Sequence, residues 1–176
     1  MIGRLALPAL LVVTAALAQM PSMPTMAQAA PSTTAPLPTT SVTTDTATKT
    51  VKVVFVAGHD TANNGLNYNG DAKGEKTLTV PLGWTIEVTL ANGGRMPHDF
   101  AVVSGASVPS NVGGAKLAFK DAATQVTMPG MVSPTTKFVA NRPGSYLILC
   151  RVGRHAANGM YVKLVVANSL KEATYR

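Results

Sequence analysis

The sequence predicts an all-β protein, a Greek-key β-sandwich or barrel of about seven to eight strands, and three observations carry that prediction. From residue 49 onward, short β-branched and aromatic runs recur, punctuated by Gly, Asn and Pro every eight to twelve residues or so. Period-two alternation is visible in Thr77-Leu78-Thr79-Val80 and in Thr85-Ile86-Glu87-Val88-Thr89-Leu90, as sheets with one buried face require. No segment carries the 3.6-residue periodicity of a long amphipathic helix.

Taken in order, residues 49–58, 75–83, 84–94, 98–105, 135–144, 145–153 and 160–168 each read as a strand or strand end. Val, Ile, Thr, Tyr and Phe fill their centres and Gly, Asn or Pro closes most of them. Residues 108–131 are less regular, with Gly113-Gly114 and Pro129-Gly130, and read as a loop or one helical turn. There is no internal repeat.

The N-terminus reads differently. A positive residue, Arg4, precedes an apolar run from Leu5 to Ala18, and small residues suited to cleavage follow at Ala16-Leu17-Ala18 or Ala27-Gln28-Ala29. Residues 1–29 are therefore expected to be a secretory signal, with cleavage after 18 as the other choice. The run falls short of the roughly 20 residues that cross a bilayer, so membrane attachment would come only from an uncleaved segment. Residues 30–48, rich in Pro, Ser and Thr, are expected to form a flexible tether, and residues 49–176 the folded domain. Export would place that domain in the periplasm or on the extracellular face of the membrane.

Composition narrows the function. The 176 residues carry a formal net charge of +7, yet only 13% are charged and 46% are hydrophobic, so the chain can bury a core. Lys and Arg are scattered singly through strand-like segments, with no basic arm or recognition helix, which argues against nucleic acid. A single cysteine excludes an internal disulfide, a CxxC redox pair and any all-cysteine metal site. In an oxidising compartment an unpaired thiol needs protection, and metal coordination supplies it.

The segment that carries chemistry runs from Gly144 to Val166, where two strands flank a loop holding Cys150, His155 and Met160 in the spacing C-x4-H-x4-M. A soft thiolate, an imidazole and a thioether within eleven residues suit copper, and a trigonal His2Cys set with a weak axial Met calls for one more histidine. Of the three histidines, His98 fits best: it follows Met96-Pro97, opens a strand and precedes Cys150 by 52 residues. Two loops at one end of a sandwich could then supply all four ligands. Such a set leaves no evident open position for substrate, so it suits electron transfer rather than bond making. His59, in Gly58-His59-Asp60, reads as a surface or structural residue, and Met128 and Met131 as loop or core residues. Carboxylate ligation by Asp99 or Asp60 is the variant that Met160 argues against.

These residues resemble the cupredoxins, and within them the sulfocyanin branch, with rusticyanin as a more distant relative. The resemblance spans most of residues 50–167 and rests on the ligand loop His155-Ala-Ala-Asn-Gly-Met160, on Met96-Pro97-His98, and on Leu66-Asn67-Tyr68-Asn69-Gly70, which is similar to an FNFNG-type signature. It implies a cupredoxin fold and one type 1 copper bound by His98, Cys150, His155 and Met160. It further implies a non-enzymatic role shuttling electrons between respiratory partners, a cytochrome or a terminal oxidase.

Two positions depart from the common pattern of an Asn after the first histidine and a Ser or Thr after the cysteine: here they are Asp99 and Arg151. An ion pair between them is expected to replace the neutral tie between the two ligand loops. Arg95 and Arg154, in the same two segments, are candidates for a basic face that docks an acidic partner. The rival function is a periplasmic copper chaperone or storage protein that holds Cu(I) on Met20, Met23 and Met26.

Overall fold

A computed structural model describes residues 36–176. They form nine strands in two sheets: β1 (Ser41–Asp45), β2 (Thr50–Ala57), β3 (Thr77–Pro81), β4 (Thr85–Asn92), β5 (Ala101–Ser104), β6 (Thr136–Val139), β7 (Gly144–Leu149), β8 (Tyr161–Ala167) and β9 (Thr174–Tyr175). One sheet has the order β1-β2-β4-β6 and the other β5-β7-β8-β3-β9. The β2–β4 and β3–β8 pairs are parallel and the remaining pairs antiparallel.

The core lies between the sheets because alternation puts one set of apolar residues inside each strand. Val51, Val53 and Phe55 of β2 and Ile86, Val88 and Leu90 of β4 meet Leu78 and Val80 of β3, Ile148 of β7 and Val162 and Leu164 of β8. The opposite face of β4 is polar: Glu87 stands beside Lys137 of β6, its partner in register, with 2.7 Å between the charged atoms.

The irregular stretch after β5 has a packing role. Ala101 and Val103 of β5 and Leu147 and Leu149 of β7 point away from the main core. Val108, Val112, Ala115, Leu117 and Ala123 cover them, and isolated bridges Val103–Leu117 and Ala101–Ala123 fix the cover in place. It is a loop, as one of the two sequence readings had it.

The N-terminal boundary moves. β1 lies inside residues 30–48, where low charge and abundant Thr suggested a tether, so the folded domain reaches back at least to Ser41. Val42 packs against the main core, and the Asp45 carboxylate accepts N–H bonds from Ala47 and Thr48 in the turn to β2. A Thr/Val run of low charge is also good strand material once a neighbour pairs with it. With β9, this makes nine strands instead of seven to eight. The expected signal segment and the run holding Met20, Met23 and Met26 lie outside the described residues; among the described ones no helix is long and apolar enough to cross a membrane.

Register then sets the functional end. β5 pairs β7 with Ala101 opposite Leu149, and β7 pairs β8 with Leu149 opposite Tyr161. The residues just outside these pairs, from Asp99 back to His98, from Cys150 onward and from Met160 back, therefore emerge together at one end of the second sheet.

Candidate metal centre

The loop between β7 and β8 is built from its own backbone. The Cys150 N–H donates to the Met160 carbonyl at 3.2 Å and closes the loop as a continuation of the β7–β8 ladder. Inside it, His155 N–H donates to Val152, Asn158 N–H to Arg154, Gly159 N–H to Ala156 and Met160 N–H to His155, all at 2.9 to 3.0 Å. Gly159 is required: its φ is +100°, and a Cβ there would lie 2.9 Å from Lys73 Cγ.

His98 is placed by long-range bonds instead. It exchanges N–H···O bonds with Thr127, at 3.1 and 2.7 Å, in an isolated antiparallel bridge. Fully buried Asn92, at the end of β4, braces both sides: its Nδ2 donates to the carbonyls of Met96 and Thr127, each at 2.8 Å, and its Oδ1 accepts from Gly94 N–H.

These two segments bring His98, Cys150 and His155 together, with their ligand atoms all within 4.8 Å of one another. Cys150 Sγ is 3.4 Å from His155 Nδ1 and 3.9 Å from His98 Nδ1. Those edges suit a trigonal set with metal–ligand bonds of roughly 2.0–2.3 Å, whose edges run to about 3.5–4 Å. Met160 and His98 are fully buried with Cys150, whereas His155 is partly exposed. The only buried side-chain polar atom without a partner among the described residues is Nε2 of His98.

Electrostatics prepares the imidazoles as ligands. Burial, with the neighbouring His155, pushes His98 down to about 4, and burial also lowers His155, so both rings are neutral near pH 7. Burial pushes the Cys150 thiol up to about 12, against the opposing Asp99 N–H. A cation entering here must expel that proton, and a soft ion that binds thiolate strongly is the kind that can. Thiolate, two neutral imidazoles and a thioether fit copper.

The expected pair between the ligand segments is present. Asp99, 1% exposed, accepts from Arg151 N–H at 2.6 Å on one oxygen and from Arg151 Nε at 2.8 Å on the other. Asp99 N–H donates to Cys150 Sγ at 3.4 Å. Arg95 and Arg154 are exposed on the same two segments. His59 and Asp60 lie outside the cluster, paired with each other at the surface. Met128 and Met131 are exposed, not core, because they flank the Pro129-Gly130 turn. Asn92 was not foreseen; its only sequence signal is an Asn closing a strand before Gly93-Gly94.

Comparison with known proteins agrees with this centre. The sulfocyanin (SoxE) domain matches residues 38–175. A sulfocyanin from Sulfolobus acidocaldarius is 25% identical over 131 residues, 69% of this chain; the match spans 66% of that protein's length. Among solved structures, dithionite-reduced auracyanin from Roseiflexus castenholzii is 31% identical with a TM-score of 0.51, over 68% of this chain and 97% of that one. Reduced rusticyanin is 26% identical with a TM-score of 0.51, over 68% and 77% of the two chains. Cupredoxins of this group bind type 1 copper and are electron-transfer proteins rather than enzymes. With its family match covering most of the sequence and its two-sheet sandwich, the chain belongs to the sulfocyanin family of blue copper cupredoxins.

Proposed function

We propose that this protein is a mononuclear blue copper electron carrier whose metal is held by His98, Cys150, His155 and Met160. It would shuttle electrons between respiratory partners, a cytochrome or a terminal oxidase, outside the cytoplasmic membrane. The observation that carries the reading is the triangle of buried His98, buried Cys150 and partly exposed His155, with buried Met160 ending the same loop. Bound copper supplies a one-electron couple. The protein holds one compromise arrangement for both oxidation states, so little has to move when the electron does.

Each residue has a part in that. Cys150 anchors the metal at the end of β7, and the loop's hydrogen bonds fix His155 and Met160 relative to it. His155, the one partly exposed member of the set, is the edge through which an electron leaves or enters. Exposed Arg154 beside it, and Arg95 on the neighbouring segment, would attract an acidic partner. The location rests on the N-terminal sequence pattern.

The test is the visible absorption and electron paramagnetic resonance of the full chain titrated with Cu(II), beside Cys150→Ser. The expected result is an intense thiolate-to-copper band with narrow copper hyperfine splitting, both absent in the variant. A full chain that takes up Cu(I) without ever giving this band would overturn the carrier and favour the copper-holding role of the Met20–Met26 run.

A further inference from the structure

The copper loops are gripped by a segment that the electron-carrier reading leaves without a task. Between β2 and β3 the chain runs from Gly58 to Lys76 and contains Leu66-Asn67-Tyr68-Asn69-Gly70. Its two asparagines hold it together. Asn67, fully buried, donates to the carbonyls of Asp60 and Ala62 and to the Asp60 carboxylate, and accepts from His59 and Gly70 N–H. Asn69 accepts from Val56 N–H and Thr40 Oγ1, each at 2.7 Å, which fastens the segment to β2.

Between them stands Tyr68, fully buried and packed on Phe55 with ring centroids 5.7 Å apart. Its backbone exchanges bonds with Asp71, at 2.8 and 2.9 Å, so the ring is mounted rigidly. Its hydroxyl donates to the Asp99 carbonyl at 2.5 Å. Asp99 follows His98, and its N–H donates to Cys150 Sγ. The same segment holds the other ligand loop: Asn63 Nδ2 donates to the Asn158 carbonyl at 3.0 Å and Lys73 N–H to Gly159 at 2.8 Å.

We propose that Tyr68 is a positioning residue for the copper centre, its hydroxyl pinning the Asp99 backbone so that the Asp99 N–H stays aimed at Cys150 Sγ beside His98. The inference rests on the proposed ligand set. Two features set Tyr68 apart from core filler. Among the described residues the Asp99 carbonyl takes no other backbone or side-chain bond, so without the hydroxyl a buried acceptor is orphaned and the Asp99–Phe100 peptide keeps only its Phe100 N–H bond to Thr124. Across the same Cα lies the Asp99 N–H, the one that withdraws charge from the sulfur, and partners of that kind tune a metal as well as hold it.

The test is Tyr68→Phe in the copper-loaded full chain, beside Tyr175→Phe. Tyr175 touches the same Phe55 ring, and its half-buried hydroxyl donates to the Asp71 carboxylate and not to Asp99, so it reports the loss of a tyrosine hydroxyl beside Phe55 without the bond to the ligand segment. Tyr68→Phe is expected to keep the blue band but shift it, to lower the reduction potential, and to weaken copper binding about tenfold, the low end for partners behind metal ligands. Tyr175→Phe is expected to leave band, potential and affinity at wild-type values. If Tyr68→Phe loses stability while those three readings stay where they were, Tyr68 is structural only and the proposal fails. Should Tyr68→Phe not fold, Asn63→Gly keeps the positive φ of 46° and removes the grip on the Asn158 carbonyl, together with a bond to the Leu66 carbonyl within the segment. A smaller downward shift in potential is then expected, and an unmoved potential overturns the clamp. A wild-type chain without the blue band is a different outcome: it sinks the ligand set itself.

Discussion

The two segments that meet at the centre are built on opposite plans. The Cys150–Met160 loop makes its own geometry, with five hydrogen bonds of short range closing eleven residues between two paired strands. The His98 segment has almost no local structure: Asn92, Thr127 and Thr124 hold it from elsewhere, the last through its hydroxyl on Phe100 N–H, and Asp99 ties it to Arg151. Three of the four proposed ligands thus come from a unit that a short stretch of sequence can specify. The fourth comes from a position that only the finished fold defines. The practical consequence is that damage to the His98 side should reach the metal through distant residues, whereas the loop, held from segment 58–76 at Asn158 and Gly159, should feel distant changes less.

The strongest way to break that contrast is Asn92→Ala. It removes both donors to the Met96 and Thr127 carbonyls and the acceptor for Gly94 N–H, in a side chain with no solvent exposure. The Thr127 carbonyl keeps its His98 N–H bond and the Met96 carbonyl is part-buried, so at about 1–3 kcal/mol per lost buried partner a loss of about 2 kcal/mol is expected in urea unfolding of the metal-free protein. The copper hyperfine pattern should broaden as His98 loosens. A loss below about 1 kcal/mol with an unchanged spectrum would mean that the His98 segment is self-supporting after all.

The same contrast explains what was legible in the sequence. Cys150, His155 and Met160 announce themselves by spacing because one loop holds them, and His98 could be added only as the best of three histidines. The Asp99–Arg151 pair was readable because both residues break a pattern at adjacent positions. Tyr68 was visible as part of a motif, but its bond to Asp99 spans 31 residues and joins a side chain to a backbone carbonyl, which no residue preference records. Asn92 was hidden for the same reason. β1 was missed because composition measures what a stretch can bury alone, and Val42 buries itself only against a core made by other strands.

A comparable effect comes from the tie between the two plans. Arg151→Ala leaves the Asp99 carboxylate 1% exposed with only the Arg151 N–H on it. Removing one member of a fully buried pair costs 3–5 kcal/mol; with the Arg151 side chain 28% exposed, about 2 kcal/mol is expected. Copper affinity should fall by roughly tenfold. Lys163→Ala, on an exposed position of β8, is the control and should stay within about 0.5 kcal/mol. Competition titrations giving the two variants equal affinity would show that the tie does not matter to the metal.

The smallest effect concerns which segment faces the partner. His155 of the loop is partly exposed and His98 is buried, so electrons should pass at the loop side, and Arg154 should matter more than Arg95. Both arginines are exposed, so their influence is a screened, long-range one that falls off over about 10 Å at 0.1 M salt. Oxidation of the reduced protein by an anionic complex, followed by stopped flow at low salt, should slow about twofold in Arg154→Ala and less in Arg95→Ala. Added salt should slow the wild type and erase the difference, because screening removes the attraction that the arginine supplied. A cationic oxidant should show the reverse order, since deleting a positive charge then removes a repulsion. Equal rates for both variants with both oxidants would place the electron's exit elsewhere than beside His155, and would leave the loop as the rigid half of the centre without also being its door.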